Sequence, residues 1–145
     1  MKISLLSLFC TFAAIISVGT TANAQSASTQ TASNASMTIT PLSAPVEITG
    51  RTGGRESSAC GNIDTNTSQT IRVTESFASL SFEVQSEGDY TLLITGPDGF
   101  RECVFAHNYD GGVIQAPGLL NRGLYEVHVG DRKGESHPYT MSITQ

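Results

Sequence analysis

From Ser79 onward, apolar and polar side chains alternate with a period of two, and this pattern constrains the fold more than any other feature of the 145-residue chain. Leu80, Phe82 and Val84 alternate with Ser79, Ser81 and Glu83, and Tyr90, Leu92 and Ile94 with Thr91, Leu93 and Thr95. Tyr125, Val127 and Val129 alternate with Glu126 and His128, and Tyr139, Met141 and Ile143 with Thr140, Ser142 and Thr144. An extended chain points successive side chains to opposite faces, so each run is a strand with one face in a core and the other in water. Beyond residue 24 no segment sustains apolar residues at i, i+3, i+4 and i+7, so helices are expected to be absent or very short.

Turn residues punctuate the pattern. Ser86-Glu87-Gly88-Asp89 predicts a hairpin between the strands around Phe82 and Leu92. Pro97-Asp98-Gly99 leads into a strand from Phe100 to Ala106, proline presetting one turn dihedral and glycine supplying a positive φ. The last two alternating runs are expected to be neighbours. Ile39, Leu42, Val46 and Ile48 suggest one or two short first strands, and Pro41 and Pro45 imply an edge position. Residues 50–62 lack periodicity and read as a long loop that carries a cysteine. The sum is seven to nine short strands, an all-β antiparallel sandwich of jelly-roll type.

The start of the chain has a different character. Lys2, an apolar stretch from Ile3 to Val18, and Ala22-Asn23-Ala24 before Gln25 have the order of an export signal with its cleavage site. Cys10 lies inside the apolar stretch and gives no lipid-anchoring site. Residues 1–24 are therefore expected to be a signal peptide, 25–36 (QSASTQTASNAS) a flexible polar tail, and 37–145 the folded domain. Export places the chain in the periplasm or outside the cell, where the two remaining cysteines, Cys60 and Cys103, are expected to form a disulfide. That bridge closes a loop of roughly 44 residues, worth about 4 kcal/mol in chain-entropy terms. Past the leader no apolar run is long enough for a membrane-spanning helix. The formal net charge of −5, one unit more negative without Lys2, argues against nucleic acid as a partner.

Catalytic chemistry finds little support. His107, His128 and His137 accompany many serines, but no Gly-x-Ser-x-Gly elbow or comparable nucleophile segment occurs, so no catalytic residue is assigned. His128 shares the polar side of its strand and is expected to be solvated. Zinc spacings are missing as well. Calcium is better served: Asp98 in one turn, and Asn108 with Asp110 in the next loop, flank the same expected strand and offer hard oxygens. The same residues also fit ordinary turn chemistry, because Asp and Asn bond their own backbone.

The stretch from Tyr90 to Thr144 carries a strand ending in Gly96-Pro97-Asp98-Gly99, a polar patch at Asn108-Tyr109-Asp110, a Gly123-Leu124-Tyr125 strand start and a final strand beginning at Tyr139. In this order and spacing it resembles the bacterial pre-peptidase C-terminal domain, a β-sandwich module that accompanies secreted peptidases. The resemblance implies a free-standing exported member without a catalytic domain, acting as a binding or accessory module for a polypeptide or glycan. Some relatives in the resembled family bind calcium. Phe100, Tyr109 and Tyr125 are candidate anchors if exposed. The alternatives are a calcium-binding structural module and a secreted protein related to serine peptidases.

Overall fold

Alternation of apolar and polar side chains ends in nine strands among the residues that the computed structural model describes, 37–66 and 69–145, with the backbone alone at Asp110. They are β1 (Met37–Ile39), β2 (Val46–Arg51), β3 (Glu56–Ser58), β4 (Gly61–Ile63), β5 (Gln69–Gln85), β6 (Tyr90–Thr95), β7 (Arg101–Phe105), β8 (Ile114–Asp131) and β9 (Pro138–Thr144). Single 3-10 turns at Pro97–Gly99, Ala106–Asn108 and Asp110–Gly112 are the only helical pieces among the described residues. The expected leader and polar tail, residues 1–36, lie outside them.

Two long strands make the sandwich. β5 and β8 are antiparallel partners, and their register shifts between Val73 and Phe77, where β5 bulges. Before the bulge β5 is flanked by β1, in parallel, while the matching half of β8 continues to β6 and then β7. After the bulge β5 is flanked by β9, which pairs with β2. One layer is thus β1-β5-β8-β6-β7 and the other β2-β9-β5-β8, with β5 and β8 passing through both. Ile71, Leu92, Tyr125 and Val129 of the first layer pack with Phe82, Ile114, Leu120, Met141 and Ile143 of the second in one core.

The bulge is fastened by Glu75. Its carboxylate accepts hydrogen bonds from the Thr40 hydroxyl, from the Gln145 amide at 3.0 Å and from the Thr74 N–H at 3.2 Å. These bonds favour the charged form and lower its pKa from 4.5 to about 2, the Thr40 bond most of all.

The structure corrects several neighbour assignments. β5 and β6 do not form a hairpin; the turn at 86–89 crosses from one layer to the other, and β6 pairs with β7 and β8. β8 and β9 are not neighbours either, since β9 lies between β2 and β5. Period two states which side of a strand is buried, and says nothing of which strand lies beside it. The expected loop at 50–62 contains the end of β2 and the hairpin β3–β4. Residues 114–121 belong to β8 and pair there with β5.

Candidate functional site

The β3–β4 hairpin folds over the outer face of the β6–β8 side of the sheet. Its two-residue connection, Ala59-Cys60, is closed by the Ser58 side chain, which accepts from the Cys60 N–H at 3.1 Å and donates to the Gly61 carbonyl at 2.7 Å. Gly61 has φ +85°, a conformation that suits glycine. Three contacts hold the hairpin down. Cys60 is disulfide-bonded to Cys103 of β7, the pairing expected from the sequence. The Thr91 hydroxyl donates to the Cys60 carbonyl at 2.6 Å. Gly130 allows close approach, since a Cβ there would sit 2.8 Å from the Asn62 carbonyl oxygen.

Strand register sets what lies under and beside this flap. On the outer face, Cys103, Leu93 and His128 form one cross-strand row, and Arg101, Thr95 and Glu126 the next. The flap covers the first row, where Cys60, Ile63 and Leu93 form a small second cluster with Cys103. The second row stays open. Between it and the flap runs a wide groove of about 680 Å³, with Leu93, Ile63 and Ala59 supplying apolar surface and Ser57, Ser58, Thr65 and Thr95 hydroxyls.

His128 forms part of the groove wall and is 5% exposed, not solvated as its strand pattern suggests. The flap and the following loop cover what would otherwise be a wet sheet face. Its Nδ1 lies 3.3 Å from the Asp64 carbonyl, which can only accept, so the proton is on Nδ1 and Nε2 faces Glu126 at 3.8 Å. Arg101 forms no ion pair among the described residues. Opposite charges therefore stand across Thr95, roughly 10 Å apart at two strand spacings, with the basic one unpaired.

The other sequence candidates lie elsewhere. Asp98 sits in the turn before β7 and Asn108 in the turn after it, so the strand separates them. Asp98 has φ +55° inside the Pro97–Gly99 turn, where the Gly96 N–H donates to the Phe100 carbonyl at 2.9 Å, a local role consistent with turn chemistry. The Asp110 side chain lies outside the described residues.

The aromatic candidates Phe100, Tyr109 and Tyr125 are not exposed anchors. Tyr125 is 2% exposed, stacks edge-on against Phe100 at 5.6 Å and donates to the Asn121 carbonyl at 3.0 Å, and desolvation pushes its pKa up. Tyr109 packs against the main core. His107 faces Asp89 at 3.6 Å, and His137 faces Glu135 at 3.3 Å and Glu87 at 3.9 Å, so the three histidines stand apart in different surroundings. Nothing in the residue order singles out Arg101, Thr95, Glu126 and Ser57, because the only signal joining them is cross-strand register.

No protein-family model matches the chain. An uncharacterized protein of Synechococcus elongatus is 33% identical over 103 residues, covering 68% of this chain and 75% of that protein. Among solved structures, the pre-peptidase C-terminal domain of collagenase from Bacillus anthracis superposes with a TM-score of 0.50 over 76% of this chain and 96% of its own, at 13% identity. PliG of Salmonella Typhimurium, a periplasmic inhibitor of g-type lysozyme, gives a TM-score of 0.36 at 16% identity, over 74% of this chain and 96% of its own.

Proposed function

We infer a non-catalytic, exported binding module for this chain, which belongs to one family with the uncharacterized Synechococcus elongatus protein and has a fold like that of the pre-peptidase C-terminal domain. The observation that carries this reading is the groove beside the flap. A hairpin fixed by a disulfide, a hydroxyl bond and a close glycine contact gives the groove a wall held in place before any ligand arrives. A preorganised wall lowers the ordering cost of binding. The ligand class is a polypeptide or a glycan, held by the hydroxyls and charged groups that line the groove. The roles of Arg101, Glu126 and His128 in this reading are to orient the ligand, without a proton or acyl transfer.

Export is supported by the sequence of residues 1–24 and by a disulfide, which persists in oxidising compartments. Mass spectrometry of the mature protein is expected to find Gln25 at its N-terminus. The binding reading is tested by immobilising the disulfide-bonded chain and a Thr95→Trp variant whose indole fills the groove, then passing exported proteins and cell-wall glycans over both. Retention by the first and not by the second is the expected result. Equal retention, or none by either, contradicts the reading.

A further inference from the structure

Three features of the groove narrow its ligand class, and the inference they carry rests on the binding-module reading. The first is a missing plate. Sugar rings are held by stacking an apolar face on a large aromatic ring, and no Phe, Tyr or Trp lines this groove. Phe100, Tyr109 and Tyr125 are all spent on the main core.

The second is an open strand edge. β3 bonds to β4 alone among the described strands. Asn62 of β4 pairs outward with Asp131 of β8, so the opposed residue, Ser57, turns its own backbone away from β4 toward the free edge. Ser57 also lines the groove. Such an edge takes up an extended chain through main-chain hydrogen bonds.

The third is charge. Arg101 has no ion-pair partner among the described residues, and the nearest groove carboxylate, Glu126, stands two strand spacings away across Thr95. The Arg101 guanidinium is therefore open to a ligand, and its planar fork suits a carboxylate.

We propose that the groove binds an extended polypeptide segment bearing a carboxylate side chain, its backbone pairing with the free edge of β3 at Ser57 and its acid meeting Arg101. An apolar side chain of the same segment rests on Ala59 at the tip of the flap. Specificity then comes from alternate side chains, as it does wherever a strand is added to a sheet edge.

The test is an amide-resolved NMR titration of the disulfide-bonded chain with three probes: a capped seven-residue peptide of alternating valine and serine with a central aspartate, its lysine counterpart, and chitohexaose. The aspartate peptide is expected to shift the amides of Ser57, Ser58, Thr95 and Arg101 saturably, at least tenfold more tightly than the lysine peptide. Arg101→Glu, at an exposed position, is expected to invert that preference. Ser57→Pro, which removes the edge N–H, is expected to weaken binding at least tenfold while the melting temperature confirms its fold. Shifts confined to other surfaces, or a preference untouched by Arg101→Glu, overturn the proposal. Chitohexaose shifting the groove amides while the peptides do not overturns it in favour of a glycan and leaves the module reading standing. No shift with any probe also overturns it, and retention by the chain but not by Thr95→Trp then separates that failure from failure of the module reading.

Discussion

The molecule has two apolar clusters held by different means. Between the layers, side chains from β2, β5, β6, β8 and β9 bury one another without a covalent link, Phe82, Ile71, Leu92, Ile114 and Ile143 among them completely. Under the flap the apolar cluster is just Cys60, Ile63 and Leu93, with Cys103 beside them. Ordering the backbone of residues 56–63 costs more than burying so few side chains supplies. The cross-link adds to the Thr91 bond and the β4–β8 pairing in holding the flap down. A sheet can close its own core by alternation alone, whereas a short polar hairpin laid on its outer face needs a staple, and that staple sets the wall of the groove.

The largest expected effect breaks the main core. Phe82→Ala leaves a cavity and is expected to cost about 3–5 kcal/mol, read as a lower denaturant midpoint, while the flap contacts stay formed in the folded fraction. Next, replacing both cysteines, Cys60→Ala with Cys103→Ala, is expected to cost about 2–4 kcal/mol in global stability. Unlike the core substitution, it also loosens the groove. Equal melting of this variant and the parent chain would contradict a structural role for the bridge.

Tyr125→Phe is a finer probe, since it removes one hydrogen bond to Asn121 at the margin of the main core and is expected to cost about 1 kcal/mol. The smallest effect concerns pH. The Glu75 pKa is lowered to about 2, so its contribution is present in full above the ordinary value of 4.5 and is lost as pH falls from there toward 2. Thermal melts from pH 6 to pH 2 are expected to show the parent chain approaching Glu75→Gln over that window. A constant difference between the two at all pH values would contradict the assignment.

What the sequence makes legible follows the same division. The main core is written in period two, so Leu80, Phe82, Val84, Tyr90, Leu92, Ile94, Tyr125, Val127, Met141 and Ile143 are all identifiable from the order of residues. Cys60 and Cys103 are a pair by count once Cys10 leaves with the expected leader. The flap is not legible, because ESSACGNI has no alternation and owes its place to a distant cysteine and to Gly130. His128 misleads for the same reason: its outward position is correct, and only the flap makes outward mean buried. Arg101, Thr95 and Glu126 belong to three different strands, and no local pattern announces that register aligns them. The calcium candidates show the converse, residues near in sequence that β7 holds at its opposite ends.

Native-state hydrogen exchange before and after reduction decides whether the disulfide holds the flap, and with it the groove, while the main core stands by itself. Reduction is expected to strip protection from amides of residues 56–63 while Phe82, Leu92 and Val127 remain protected at about 25 °C. Flap amides that keep their protection after reduction, or core amides that lose it together with the flap, would contradict that division of labour.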